Sequence, residues 1–207
     1  MGPEQAPTRA AVLELKAERV VVEEAYDFLD EKRLLLAAEL LSQLDRYQQL
    51  RAELEEKTTQ AHKSLVAAIK RHGLQGLSIY PAVTDAYTVE SSERNLMGVT
   101  LLDTRMSVYP GEAGKQVTPV NPSVEARQCQ ADFQALLDSS AVLAGVSGNL
   151  YRLFVEYRLT ERRARALENV ILPDIETSLG RMSAYLEEMD LEDAIRARPP
   201  AGSYGLS

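Results

Sequence analysis

The side chains of this sequence that could do chemistry are concentrated in RRARALENVILP, residues 162–173, where Glu168 follows three arginines. A single carboxylate beside several guanidinium groups favours an ion pair on a helix face over an acid–base catalyst. The sequence contains no Gly-rich Lys-Ser/Thr phosphate loop, no nucleophile elbow and no paired-acid motif. We therefore expect a chain that carries out no bond chemistry itself.

The two histidines and the single cysteine are the other candidates for a reactive site. No third residue with metal-ligand spacing accompanies His62 or His72, so we interpret both as surface histidines and predict neither a metal ion nor a cofactor. Cys129 has no partner for an intramolecular disulfide, and we interpret it as structural or incidental. One cysteine favours a reducing, cytoplasmic compartment.

Charge and composition exclude several classes of protein. The formal net charge of −8 argues against a nucleic-acid binder, which needs a basic surface. No run of about 18 apolar residues is present, so we expect no membrane insertion, and the first residues show no secretory signal. With no tryptophan and three phenylalanines, the apolar content is mainly Leu, Ala and Val, which favours helix–helix seams over a thick core.

The first half of the sequence predicts one long helix. Thr8 is a candidate N-cap, no proline or glycine occurs between Arg9 and His72, and Gly73 is placed to end the helix. Apolar residues repeat strictly every seven positions, which predicts a left-handed coiled coil. The residues of this predicted seam are Leu15, Val22, Leu29 and Leu36, and Arg19, Arg33 and Gln43 interrupt the pattern.

The middle of the sequence predicts a β-hairpin, and a second long helix follows it. Glycine and proline punctuate residues 74–119, where LSIYPAVTDAYTVE and MGVTLLDTRMSVYP have the composition of strands. Asn121 fits the N-cap of the second helix and Pro122 its first position. The predicted division is a helix over 1–73, a small insert over 74–120, a helix over 121–198 and a tail over 199–207.

These elements predict a mainly α fold. Two helices that each lack a core bury their apolar stripes against each other, and the insert joins their far ends. We therefore expect a long antiparallel two-helix coiled coil with a small α/β or β-hairpin insert at the end opposite the termini.

Pro173 lies inside the second helix, where proline costs about 3 kcal/mol because it lacks an N–H and its ring meets the carbonyl four residues back. We expect it to bend or locally loosen the helix beside Leu167 and Ile171.

Two motifs resemble the D subunit of the V/A-type rotary ATPases. Residues 7–33 are similar to the N-terminal helix of that family, which has a Pro-Thr-Arg start and a Leu-x-x-Lys-Arg element. Residues 162–176 are similar to its C-terminal signature, although Arg165 stands where the family has Asn. The family usually continues with a longer tail, often basic, whereas this sequence has the acidic EEMDLED and stops soon after. The chain is thus identified as a divergent, acidic member.

The resemblance implies a non-catalytic rotor shaft in the peripheral cytoplasmic sector, coupling ATP synthesis or hydrolysis to ion movement. Its implied partners are the A and B subunits of the catalytic ring, the F subunit and a funnel-shaped subunit above the membrane ring. A sliding shaft favours small and charged residues outside the seam. The candidates for transient contacts to the ring are Arg162, Arg163, Arg165 and Glu168. For each arginine the alternative is a solvated helix face with no partner role. The insert tyrosines, which are candidates either for partner contacts or for the insert's own core, are Tyr80, Tyr87 and Tyr109.

Two other functions fit the same sequence. A coiled-coil adaptor or scaffold unrelated to rotary ATPases would have the same helix, insert and helix. A rod on a membrane surface is disfavoured by the negative charge, because anionic lipid attracts Lys and Arg.

Overall fold

The structure is a computed structural model that describes residues 7–80, 86–109 and 121–197, without the side chains of Ala86 and Tyr109. Within these described residues, three helices, one π-helical turn and two strands follow one another. In order they are α1 (Arg9–Ser78), β1 (Ala86–Leu96), β2 (Val99–Tyr109), α2 (Val124–Ala166), the π turn (Leu167–Ile171) and α3 (Leu172–Ala197).

Helix α1 begins where the sequence predicts, but at Gly73, where the sequence predicts its end, it only kinks. The hydroxyl of Thr8 accepts a hydrogen bond of 3.1 Å from the N–H of Ala11, so Thr8 is the N-cap. Gly73 has φ 69° and ψ 163°, outside the helical region, and glycine adopts such a positive φ without strain. The chain returns to helix after Gly73 and continues to Ser78.

The predicted cap of the second helix is wrong by two residues. Helix α2 begins at Val124, and its capping group is the hydroxyl of Ser123, which accepts a hydrogen bond of 3.0 Å from the N–H of Ala126. Asn121 lies outside the helix, and its carbonyl instead accepts a hydrogen bond of 2.5 Å from the hydroxyl of Tyr80. A serine next to the first helical residue satisfies the free amides better than an asparagine further upstream.

The two strands form an antiparallel hairpin with a two-residue turn at Met97 and Gly98. Both turn residues have positive φ, 50° and 87°, the geometry that matches the natural twist of two paired strands. The first strand was predicted too early: Leu77 and Ser78 belong to α1, and β1 extends through the polar SSERN to Leu96. Cross-strand pairing therefore overrides the weak strand preference of that polar segment.

The chain divides into two compact units. The first combines the chain up to Arg33 with the chain from Arg158 onward. In it, α1 and α3 run antiparallel, and an exposed ion pair of 2.8 Å joins Arg9 to Asp190. Its buried cluster is formed by Val12, Ile175 and Leu179, with Leu15, Val22, Met182 and Leu186 packed against it.

The second unit spans Leu34–Tyr157 and holds the hairpin. Here α1 and α2 are antiparallel, with Lys57 Nζ donating to Ser139 Oγ over 2.5 Å. The hairpin lies back along the helices, because the buried cluster at its turn joins Val99 and Leu101 to Leu36 of α1 and Leu153 of α2. The turn of the hairpin therefore packs on α1 far from the kink at Gly73, because the helix between Leu36 and Gly73 is roughly 55 Å long at about 1.5 Å per residue.

The predicted fold class, a long helix pair with a small antiparallel hairpin, is confirmed. The proposed domain boundaries remain predictions, and the tail over 199–207 lies outside the described residues.

Candidate functional site: the π turn and its flanking arginines

The signature stretch of the sequence contains a local change of helix type. The N–H of Leu172 donates to the C=O of Leu167, five residues back, which defines a π turn. In an α-helix, Pro173 could not donate to the C=O of Asn169 and its ring would press against that group. Directly before the proline, the wider turn moves each backbone acceptor by one residue, so the helix is locally loosened there. That Pro173 causes this loosening stays a prediction.

The π turn also adds one residue to the helix. Before the turn, buried or half-buried positions of the first unit fall at Thr160, Ala164 and Leu167, in the alternating spacing of a heptad. After it, they fall at Leu172, Ile175, Leu179, Met182 and Leu186. Ala164 to Leu172 and Leu167 to Ile175 are both steps of eight residues instead of seven. A π turn holds one more residue than an α turn, so it keeps both rows of the seam facing α1.

The side chains of the arginine cluster lie on the solvent side. Four exposed residues lie outside the seam: Arg162, Arg163, Arg165 and Glu168. Ala164, which lies between them in sequence, is buried. Arg165 forms an ion pair of 2.6 Å with Glu161, one helical turn earlier. In the described part of the chain, Arg162 and Arg163 form no ion pair. Their guanidinium groups are therefore available to a carboxylate from another chain.

Glu168 faces a residue of α1 that the sequence did not indicate. Its carboxylate is the largest cause of a raised pKa of the Tyr26 phenol, above the ordinary value of 10.0. Desolvation and the carboxylates of Asp30 and Asp27 act in the same direction, and the charge of Arg33 opposes them. A negative charge next to the phenol disfavours its ionised form. Tyr26 of α1 therefore lies within electrostatic range of Glu168 in the π turn.

Replacing Tyr26 with phenylalanine is expected to change the stability of the protein at alkaline pH. Above about pH 10 the unfolded chain ionises the tyrosine while the folded chain keeps it protonated, so the folded state binds more protons and stability falls as pH rises. Tyr26→Phe should make this fall less steep. Urea denaturation at neutral and alkaline pH measures the free energy of unfolding, and so shows how steeply this free energy falls as pH rises. Glu168→Gln removes the main cause of the raised Tyr26 pKa, so it should also make stability fall less steeply with pH. An unchanged pH dependence of stability in both variants would contradict the effect of Glu168 on Tyr26.

The predicted seam residues point inward. Leu36 is fully buried, and Leu15, Val22 and Leu29 are half-buried.

Outside its seam, the first unit exposes large apolar side chains in addition to the small and charged residues expected of a sliding shaft. Leu13, Val21 and Phe28 of α1 expose 67%, 63% and 58% of their area. Large exposed apolar side chains indicate an interaction surface when they occur in a group.

The insert tyrosines are placed differently from one another. The Tyr80 ring contacts His72 edge to face at a centroid distance of 5.4 Å, and His72 Nε2 lies 2.7 Å from the Ser123 hydroxyl. Tyr80 and His72 thus bind the end of α1 to the start of α2 within the chain. Tyr87 is half-buried in β1, and the side chain of Tyr109 lies outside the described part.

The described residues contain no group of three or more His, Cys, Asp or Glu side chains that could hold a metal ion. Among the described helices, none has the length and hydropathy needed to span a membrane.

Comparison with known proteins identifies the family. A family model described as the D subunit of ATP synthase matches residues 11–198, a range that includes the seam, the hairpin and the π turn. The chain belongs to the family of ATP synthase D subunits. The D subunit of an A-type ATP synthase from Thermococcus kodakarensis is 31% identical over 93% of this chain and 91% of its own length.

Two bacterial members of the family are similarly related. The D subunit of a V-type ATP synthase from Thermotoga neapolitana is 25% identical over 93% of this chain and 95% of its own length. The V-type D subunit of Anaeromyxobacter dehalogenans is 30% identical, covering 93% of both chains. The D-subunit resemblance that the two motifs indicated is thus shown over nearly the whole chain.

Proposed function

We propose that this chain is the central rotor shaft of a V/A-type rotary ATPase or ATP synthase and has no catalytic residues of its own. The family match over residues 11–198 carries this proposal. We further propose that the shaft couples ATP synthesis or hydrolysis in a ring of A and B subunits to rotation of an ion-translocating ring. The F subunit and a funnel-shaped central-stalk subunit are its other proposed partners, in the peripheral cytoplasmic sector.

The geometry of the π turn supports a shaft with unequal sides. A helix pair with uninterrupted heptads would present nearly the same surface at every turn, whereas the π turn and Pro173 change one helix at one level. A rotor acts on three catalytic interfaces as a ligand with a different affinity for their open and closed states. Only an asymmetric ligand can favour one interface over the other two, so local irregularity is functionally useful here.

The exposed side chains of the first unit support a surrounding partner. The apolar group at Leu13, Val21 and Phe28 belongs to the same unit as Arg162 and Arg163, which form no ion pair with the described residues. We propose that the ring covers this unit and that its carboxylates pair transiently with the arginine cluster. Exposed pairs contribute under about 1 kcal/mol each, so they can exchange as the shaft turns.

Replacing Arg162, Arg163 and Arg165 together with alanine is expected to lower the torque of ATP-driven rotation while the complex still assembles. A matched variant with alanine at the exposed Arg51, Arg71 and Arg127 removes the same three charges elsewhere and should rotate normally. A single-molecule rotation assay measures the torque. Equal torque in both triple variants would overturn the role of the cluster.

Reconstitution tests the function as a whole. We expect one copy of the chain to co-purify with a six-membered ring of cognate A and B subunits, together with the F subunit, in the presence of nucleotide. A ring that assembles without the chain and fails to bind it would overturn the rotor proposal.

A further inference from the structure

The hairpin has two outer edges, and among the described elements its helices close only one of them. Asn149 of α2 is 2% exposed, and its side-chain amide binds the backbone of Leu102 twice. Its Oδ1 accepts from the Leu102 N–H and its Nδ2 donates to the Leu102 C=O, both over 2.8 Å. This side chain takes the place of a third strand on the outer edge of β2.

The register shows which backbone groups of β1 point outward. Leu102 lies opposite Glu93, and because the N–H and C=O of Leu102 point away from β1, those of Glu93 point away from β2. The direction alternates along the strand, so five residues of β1 present their N–H and C=O groups to the outside. They are Tyr87, Val89, Ser91, Glu93 and Asn95.

No backbone hydrogen bond from another described element closes this edge. A free edge of a strand of eleven residues is a template for a further strand.

The side chains of the outward-bonding residues of β1 indicate the chemistry of a strand that would add to this edge. The side of the hairpin that packs on α1 includes Arg94, which pairs with Glu39, so the five outward-bonding residues lie on the other face. At the β2 edge of that face, Thr104, opposite Ser91, contacts α2 by donating to the C=O of Ala141.

Val89 is 62% exposed on that face, across from Met106. Glu93 is exposed there and has no ion-pair partner within the described ranges. The face combines an apolar end with an acidic end.

We propose that β1 binds an extended segment of a neighbouring subunit of the rotary complex, which adds to the hairpin as a third strand. The added segment would place an apolar side chain beside Val89 and a basic side chain beside Glu93, four residues apart on one face. This inference rests on the proposed function, because it takes the occupant from the assembled complex.

Hydrogen exchange of individual amides, measured on the isolated chain and on the assembled complex, tests the strand addition. The amides of Val89, Ser91 and Glu93 should exchange on the order of tenfold more slowly in the complex, because they gain hydrogen bonds. The alternate amides of Glu90, Ser92 and Arg94 already bond to β2 and should change little.

Each other outcome overturns the proposal. Assembly without slower exchange at the outward amides would refute the strand addition and leave the rotor function intact. Equal slowing at both sets of amides would show simple coverage, and protection already present in the isolated chain would show that a segment of this chain holds the edge. Protection that grows with the concentration of the isolated chain would show pairing with a second copy. Failure to assemble would overturn both proposals.

Two adjacent serines provide a matched pair of variants. Ser91→Pro removes an N–H that points outward, so the isolated hairpin should keep its stability while the β1 edge in the complex loses its protection. Ser92→Pro removes an N–H that bonds to Asp103 in β2, so it should loosen the hairpin in the isolated chain. Ser91→Ala, which keeps the N–H, should behave like the unmodified chain. A complex of Ser91→Pro with unchanged protection would overturn the proposal.

Discussion

Deleting Ser178 from α3 is expected to destabilise the first unit by roughly 4 kcal/mol, whereas deleting Val170 together with Pro173→Ala should leave its stability nearly unchanged. Loss of Ser178 rotates everything beyond it by about 100° around the helix axis. The side chains of Leu179, Met182 and Leu186 then leave the seam. Full burial of an apolar side chain contributes about 1.5–3 kcal/mol, and Met182 and Leu186 contribute less because they are only half-buried. Both deletions remove a single residue from the same continuous helical segment.

The Val170 variant should be tolerated because the π turn contains one residue more than the heptad needs. Its removal restores a step of seven from Leu167 to Ile175, and replacing the proline lets the segment form a regular α-helix. Urea denaturation followed by circular dichroism measures both variants. Equal losses of stability in the two would show that the turn does not hold an extra residue. If the chain has the proposed rotor function, the tolerated variant should still assemble into the complex but couple less well, because one irregular side of the proposed shaft is gone.

Replacing Asn149 with alanine is expected to destabilise the second unit by about 2–5 kcal/mol and to release the hairpin from α2. The change leaves the N–H and C=O of Leu102 without partners, and an unsatisfied buried backbone group costs about 1–3 kcal/mol. A leucine at this position would fill the volume but restore neither hydrogen bond, so it should rescue little.

Urea denaturation gives the loss of stability for Asn149→Ala, and the exchange rate of the Leu102 amide locates it. Ser147→Ala, on the same helix but exposed, is the matched control and should have almost no effect. A slow Leu102 amide in Asn149→Ala would mean that α2 holds the hairpin through other contacts. One such contact is the hydroxyl of Thr104, which donates to the C=O of Ala141 over 2.6 Å.

Helix length and approximate strand position follow from local rules and could be read from the sequence. Thr8 caps α1 because its hydroxyl reaches an amide three residues away, a contact that depends only on neighbours. Gly73 interrupts α1 because glycine alone accepts its φ readily. The cap of α2 was misplaced because Asn121 and Ser123 are both good capping residues, and local preference does not choose between them.

The candidate site was only half visible in the sequence. Pro173 indicated an irregular helix, but the π turn was recognised only when the buried positions on both sides of it were known. The same holds for Glu168, which acts on Tyr26 of α1 and not on the neighbouring Arg165. A sequence lists possible ion pairs one turn apart on a helix, whereas contacts between helices depend on their register.

By itself the sequence determined the long helices, the heptad seam and the D-subunit family, because periodicity and motif order are properties of the chain alone. Tertiary structure decided where the hairpin lies along the helix pair, which of its edges is closed, and how the seam continues past Pro173. Those features depend on residues far apart in sequence, such as Asn149 with Leu102 and Leu36 with Leu101. Such pairs come together only when the helices and the hairpin pack, since burial and hydrogen-bond satisfaction are summed over the whole unit.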